Sequence, residues 1–174
     1  MQRVLSFICL CLMSTLVLGF TQNLVLTEQE LQQRLNDMTP MQRNTVYANI
    51  VLTDAKIDLL ESANQLAITA YLDATVLGGL HGSGKVSVQG SLSYNPKEGA
   101  FYLHRPKLQD LHIDQLKPEI VAQLKPLIED VIIQALRNKP IYRLNDEDIR
   151  QSLLKATLKD VQIKDNQVRV SLGF

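Results

Sequence analysis

The strictest constraint in this sequence is a long alternation of apolar and polar residues between Gln65 and Tyr94, interrupted by a glycine-rich turn. Successive side chains of a β-strand point to opposite faces of a sheet, so the pattern predicts two long strands with one apolar face each. Strands that are covered on one side only are typical of antiparallel sheets. The inward positions are Leu66, Ile68, Ala70, Leu72, Ala74, Val76, Val86, Val88, Gly90, Leu92 and Tyr94.

Further strands are predicted on both sides of this pair. The segment 44–59 also alternates, and its phase slips after Asp54, which indicates a β-bulge. A hairpin loop at 95–99 leads into a strand at 100–104 that residues 108–113 extend. A last hairpin joins 158–163 to 168–172. Long one-sided strands twist and curl, so something apolar must cover their concave face.

That cover is predicted between Leu116 and Leu136, where apolar residues recur at steps of three and four. This spacing is typical of an α-helix. Pro118 suits the first turn of such a helix, whereas Pro126 falls in its interior. A proline there removes a backbone hydrogen bond, so the helix is expected to kink or restart at Pro126.

Two shorter helices complete the predicted fold. The capping box Thr27-Glu28-Gln29-Glu30 begins a helix through about Met38, and the segment Asn145-Asp146-Glu147-Asp148 begins another through about Lys155. The predicted class is α+β: a long, strongly curved antiparallel sheet wrapped around a long, proline-interrupted helix, with short N- and C-terminal helices. Residues 20–174 are expected to form this one domain.

The first nineteen residues are predicted to be a signal peptide. Arg3 precedes an uncharged apolar run from Val4 to Phe20, and Val17 and Gly19 suit a cleavage site before Phe20. Retention as an anchor stays open, because a helix over this run covers roughly 26 Å, the low edge of a membrane span. Either form places the body in the periplasm or cell envelope.

Residue chemistry gives no support to an enzyme. The string from Gly79 to Lys85 satisfies G-x-x-x-x-G-K, but a nucleotide site also needs Ser or Thr next and then a helix. Val86 follows instead and begins a strand, so hairpin geometry explains the glycines better. His81, His104 and His112 lack the spacing of metal ligands. The expectation is a protein without catalytic residues, metal or cofactor.

Charge and aromatic content limit the partners. Eighteen basic and eighteen acidic residues leave no net charge, which argues against nucleic-acid binding. Four Phe, five Tyr and no Trp argue against platforms that stack bases or sugars.

Four strings, in order along the chain, resemble the YceB-like family of bacterial envelope lipoproteins. They are Thr27-Glu28-Gln29-Glu30-Leu31, Ala48-Asn49-Ile50-Val51-Leu52, Gly99-Ala100-Phe101-Tyr102-Leu103, and Gln134-Ala135-Leu136-Arg137-Asn138 with Pro140-Ile141-Tyr142-Arg143-Leu144. The resemblance implies a fold like the tubular lipid-binding (TULIP) superfamily, in which an apolar groove separates helix and sheet. The family's lipidated cysteine is replaced by Phe20, which counts against a lipid anchor.

Two functions remain open at this point. In the first, a lipid or fatty-acyl ligand lies in a groove between sheet and helix, close to a membrane. In the second, the protein has a filled core, no ligand and a structural or interaction role in the envelope. Leu, Ile and Val suit a groove and a core equally, so the sequence does not separate the two. The groove residues would be Leu66, Ile68, Leu72, Val86, Val88, Leu92, Ile120, Leu124, Leu127 and Val131.

Overall fold

The computed structural model describes residues 21–46, 48–76, 78–95, 97–144 and 158–173. Strands dominate this part of the chain, and two α-helices accompany them. The elements are β1 (Thr21–Thr27), α1 (Glu28–Met38), β2 (Met41–Asn44), β3 (Ala48–Leu60), a 3-10 turn (Glu61–Ala63), β4 (Gln65–Val76), β5 (Leu80–Asn95), β6 (Ala100–Ile113), α2 (Pro118–Arg137), β7 (Tyr142–Arg143), β8 (Leu158–Lys164) and β9 (Gln167–Gly173).

The strands form two antiparallel sheets. Six strands in the order β2-β3-β4-β5-β6-β7 make one sheet, and β1-β9-β8 make the other. The first strand of the described chain therefore pairs with the last, from Thr21 opposite Gly173 to Thr27 opposite Gln167. The sequence patterns did not indicate β1 or β2 as strands.

The predicted architecture of a strongly curved sheet wrapped around a helix is wrong. Helix α2 packs mainly against β6, at one side of the six-stranded sheet, and α1 packs against β3. The reason is connectivity: a short link of residues 114–117 joins β6 to α2, so the helix lies back along the strand that it follows. An apolar stripe on a helix shows that one face is buried, but it does not show which strands bury it.

The helices themselves begin where the sequence predicts. Thr27 and Glu30 form the capping box of α1, in which the Thr27 side chain accepts from the Glu30 amide. Pro118 is the first residue of α2, and the helix continues through Pro126 to Arg137 without a restart. The predicted C-terminal helix at 145–155 lies outside the described residues.

The predicted bulge in β3 is confirmed. Pairing with β4 shifts between Thr53 and Lys56, and Asp54 has φ +49°. Such a bulge leaves backbone groups without ladder partners. The side chain of Gln32, on α1, meets two of them: its Nε2 donates to the Ala55 carbonyl at 2.8 Å, and its Oε1 accepts from the Ile57 amide at 2.8 Å.

The glycine-rich string is a hairpin, as predicted. Gly78 and Gly79 have φ of +92° and +78°, and β5 begins at Leu80, so the string enters a strand instead of a helix. A Cβ on Gly84 would lie 1.7 Å from the His112 carbonyl oxygen, because β6 passes very close to β5 there. Glycine at this position is a requirement of strand packing.

The core is one cluster of buried aliphatic side chains, to which both sheets and both helices contribute. Leu31 and Leu35 enter it from α1, and Ile128 and Ile132 enter it from α2. No polar or charged residue in the described ranges is buried. This cluster leaves no internal polar site.

Candidate ligand site

The ten predicted groove residues fall into two groups. Six lie in the closed core, with exposed fractions of 5% or less, and the other four are only partly buried at its edge. The core group is Leu66, Ile68, Leu72, Val86, Val88 and Val131. The edge group is Leu92, Ile120, Leu124 and Leu127. The sheet side of the predicted groove is therefore filled over most of its length.

Burial changes sharply along α2. No side chain of α2 from Pro118 to Leu127 is buried, whereas Ile128, Val131, Ile132 and Leu136 are buried. The C-terminal half of the helix closes onto the core. The aliphatic side chains of the N-terminal half are only partly buried, at the edge of that core.

The second half of β6 faces this open part of the helix. Leu108 and Leu111 are half-buried and pair with the inward residues Val88 and Val86 of β5. Because α2 runs back along β6, the N-terminal half of the helix lies beside this part of the strand. We call the half-buried aliphatic surface that results the open seam. Its residues are Leu108, Leu111, Leu116, Ile120, Val121, Leu124 and Leu127.

The side chains of Ile113 and Leu116 pack over β5 at the end of the open seam where α2 begins. A Cβ on Gly82 would lie 2.5 Å from Ile113 Cγ2 and 3.1 Å from Leu116 Cγ. The side chains that close β6 and lead into α2 therefore occupy the space over Gly82. This contact places the link that precedes α2 against β5.

A separate cavity lies at the opposite end of α2. Its volume is about 500 Å³, and its lining is polar: Ser93, Tyr94, Asn95, Glu98, Tyr102, Arg137 and Asn138. The sequence patterns did not single it out. Within the described ranges, four of the five aromatic residues lie at this end, namely Tyr94, Phe101, Tyr102 and Tyr142.

The aromatic rings pack against one another and against the core. The ring centroids of Tyr94 and Phe101 are 4.9 Å apart, and those of Phe101 and Tyr142 are 6.3 Å apart. The Arg34 guanidinium lies 5.9 Å from the Tyr142 ring centroid, a cation–π distance. Burial raises the pKa of the Tyr94 and Tyr142 hydroxyls, and the negative charge of Glu30 adds to the rise at Tyr142.

Glu98 joins the polar groups of this cavity. It accepts from Asn95 Nδ2 at 2.7 Å and from the Tyr102 hydroxyl, and Arg143 Nη2 lies 3.7 Å from it. The hydrogen bond to Glu98 raises the pKa of Tyr102. These contacts pin the β5–β6 hairpin to β7, so the groups around Glu98 already satisfy one another.

Two of the three histidines lie beside a carboxylate. His112 Nε2 lies 2.9 Å from Asp114 Oδ1, and His81 Nδ1 lies 3.6 Å from Asp73 Oδ1. In the part of the chain that the structure describes, no three His, Cys, Asp or Glu residues gather as metal ligands would. Neither described helix combines the length and apolar character needed to cross a bilayer.

A comparison of the sequence with models of known protein families finds a match. The family described as "Protein of unknown function (DUF1439)" matches residues 26–167. The chain belongs to this DUF1439 family. The match runs from the end of β1 to the first residue of β9, and so includes α1, α2 and the whole six-stranded sheet.

Other comparisons add little to the DUF1439 assignment. No curated protein matches the sequence significantly. A crystal structure of a lipopolysaccharide binding protein has 12% sequence identity and a TM-score of 0.29, over 86% of this chain and 40% of that chain. The chain thus spans less than half the length of that protein. The score is too low for the likeness to indicate a shared fold or ligand.

Proposed function

We propose that this DUF1439 protein is a non-enzymatic binding protein of the cell envelope that holds a lipid or fatty-acyl chain at the open seam. The observation that carries the proposal is the burial gradient of α2: the helix is buried from Ile128 onward, whereas Ile120, Leu124 and Leu127 are only partly buried at the edge of the core. A helix that packs fully on its sheet would bury its whole apolar stripe. Here only the C-terminal half does so.

The residues of the open seam select an aliphatic ligand. Every one of them is Leu, Ile or Val, and none carries a hydrogen-bonding side-chain group. Burying one methylene contributes about 0.8 kcal/mol, so an acyl chain of about fourteen carbons would gain about 11 kcal/mol before several kcal/mol of association cost. A chain that is covered on one side would gain about half of that. Weak, reversible binding follows.

Export belongs to the same proposal. Residues 1–19 have the pattern of a signal peptide, and the four strings quoted above resemble the YceB-like envelope lipoproteins. Phe20 in place of the lipidated cysteine suggests a protein without an acyl anchor.

A second function has an observation of its own. Because Leu66, Ile68, Leu72, Val86, Val88 and Val131 pack in a closed core, the protein could serve as a structural or interaction protein of the envelope without any ligand. In that case the half-buried stripe of α2 would be covered by a protein partner. The two functions differ in whether lipid is bound by the purified protein.

The test is organic extraction of natively purified protein followed by mass spectrometry, with uptake of a fluorescent fatty acid measured in parallel. We expect saturable uptake of the fatty acid, which is the deciding measurement, because a lipid bound weakly and reversibly is largely lost during purification. Leu124→Asp should weaken uptake at least tenfold, because it places a charge in the seam. Val25→Asp is the matched control, since Val25 is 42% exposed on β1. An absence of both lipid and uptake would favour the ligand-free function.

A further inference from the structure

The polar cavity at the C-terminal end of α2 is a second candidate site, apart from the open seam. Its volume of about 500 Å³ falls within the range of small-molecule sites, about 300–1,000 Å³. The β5–β6 hairpin forms one wall, which includes Ser93 and Glu98, and Arg137 and Asn138 form the other. Because the lining is polar, the cavity suits a hydrophilic molecule, whereas the seam suits an aliphatic one.

The two walls differ in how far their polar groups are already satisfied. On the hairpin wall, the Glu98 carboxylate accepts from Asn95 and Tyr102. On the helix wall, the side chains of Arg137 and Asn138 have no hydrogen-bond or ion-pair partner among the residues that the structure describes. The guanidinium group of arginine carries five N–H donors in a planar fork and no acceptor. The hydrogen-bonding capacity that remains for a ligand is therefore mainly donor capacity on the helix wall.

The charges around the cavity are unbalanced, although the whole chain has no net charge. Arg137 lines the cavity, Arg143 contacts Glu98, and Lys97 and Lys139 are chain neighbours of lining residues. Among the lining residues and their described chain neighbours, Glu98 is the only acidic one. The C-terminal end of a helix adds about half a negative charge, so about two positive charges remain in excess. This excess favours an anionic ligand.

We propose that the cavity binds the phosphate group of a small hydrophilic molecule, with Arg137 as the main donor. A guanidinium fork binds phosphate or carboxylate oxygens through two parallel hydrogen bonds. A phosphate monoester carries about 1.5–2 negative charges at neutral pH, which matches the positive excess better than the single charge of a carboxylate does. The Asn138 amide and the Ser93 hydroxyl, on opposite walls, are placed to bind the rest of the molecule.

Ligand-detected NMR with the full chain tests this site, with glycerol 3-phosphate as the probe and glycerol as its uncharged counterpart. We expect saturable binding of glycerol 3-phosphate that added salt weakens, because salt screens the charges, and no binding of glycerol. Arg137→Gln should weaken binding about tenfold or more, since it removes charge-assisted hydrogen bonds. Arg43→Gln is the matched control, because Arg43 is exposed on β2 at the far edge of the six-stranded sheet. Circular dichroism of both variants shows that they are folded.

Competition with other soluble anions identifies the class and source of the ligand. Dihexanoyl phosphatidic acid that displaces glycerol 3-phosphate from the unchanged protein would make a lipid headgroup a source of the phosphate. Its failure to compete would leave a free phosphate compound as the ligand, and both results support the phosphate site. Acetate that competes as well as inorganic phosphate would overturn the choice of phosphate.

The cavity proposal as a whole has clear contrary results. An absence of saturable glycerol 3-phosphate binding, equal binding of glycerol, or an equal loss in Arg137→Gln and Arg43→Gln would each overturn it. The proposal does not depend on the open seam, which lies at the other half of α2. Arg137→Gln should leave uptake of fluorescent fatty acid unchanged, so failure of the cavity and failure of the seam are distinguishable.

Discussion

The side chain of Asn64 makes a hydrogen bond to the backbone of Ile163: its Oδ1 accepts from the Ile163 amide at 2.7 Å. Its Nδ2 donates to the Val161 carbonyl at 3.2 Å. Asn64 follows β3 and Ile163 lies in β8, so this side chain connects the six-stranded sheet to the three-stranded sheet. Its backbone has φ +49°, a conformation that asparagine tolerates better than most residues.

Replacing Asn64 should loosen this connection. Asn64→Ala removes both hydrogen bonds and places alanine in the left-handed region, so we expect a loss of about 1–3 kcal/mol in the free energy of unfolding. Asn64→Asp keeps the acceptor and should lose less. Urea unfolding of both variants checks this. A loss below about 0.5 kcal/mol for the alanine variant would mean that the sheets do not depend on Asn64.

Gln32 should be far more important than its neighbour Gln33. Gln32→Ala leaves the Ala55 carbonyl and the Ile57 amide at the β3 bulge without their side-chain partner. We expect a loss of about 1–2 kcal/mol in thermal or urea unfolding. Gln33 is exposed on the same helix, so Gln33→Ala is the matched control and should stay within about 0.5 kcal/mol. Equal losses in the two variants would show that the contacts of Gln32 with the bulge are not responsible.

Enlarging a side chain separates the filled core from the open seam. Ala70 is 4% exposed and lies opposite Val86, so Ala70→Phe should overpack the core and lower the free energy of unfolding by about 1–3 kcal/mol. Leu124→Phe, at the half-buried seam, should change it by less than about 1 kcal/mol. Denaturation curves of the two variants give the comparison. If Ala70→Phe left the free energy of unfolding unchanged, there would be free space beside β4, which contradicts the closed core described above.

Alkaline pH should destabilise the aromatic end of the sheet. The pKa of Tyr142 is raised in the folded protein, mainly by burial, so the folded state holds this proton to higher pH than the unfolded chain does. Its contribution to stability is complete below about pH 10 and is lost as pH rises through the folded pKa. Stability measured at pH 8 and pH 11 should fall less in Tyr142→Phe than in the unchanged protein. The same fall in both would exclude Tyr142 as a cause.

Local sequence patterns predicted the local structure well. The phase slip at Asp54 is a bulge, Thr27 and Glu30 cap a helix, and Asp165 and Asn166 form the last hairpin turn with φ of +54° and +55°. Each of these depends on residues a few positions apart. The β8–β9 hairpin of the second sheet was predicted, but the pairing of β1 with β9 joins Thr21 to Gly173, has no local signature and was not predicted.

The site was predicted only in part, because an apolar pattern indicates that a residue is buried but not which residues or ligand cover it. Val88 and Leu124 both fit a groove by sequence, but Val88 is fully covered by packed neighbours and Leu124 is only partly buried at the edge of the core. That difference depends on where α2 lies relative to β6. The length of the link at 114–117 and the contact of Leu116 with Gly82 decide it, and neither follows from periodicity.

Photo-crosslinking with a diazirine-bearing fatty acid tests the central claim most directly, because it reports where the chain lies. After irradiation and proteolysis, we expect the label on the peptides that contain Leu108, Leu111, Ile120 and Leu124. An excess of unlabelled fatty acid should reduce this labelling. Labelling that is absent, that resists competition, or that falls on other strands would contradict an acyl site between α2 and β6.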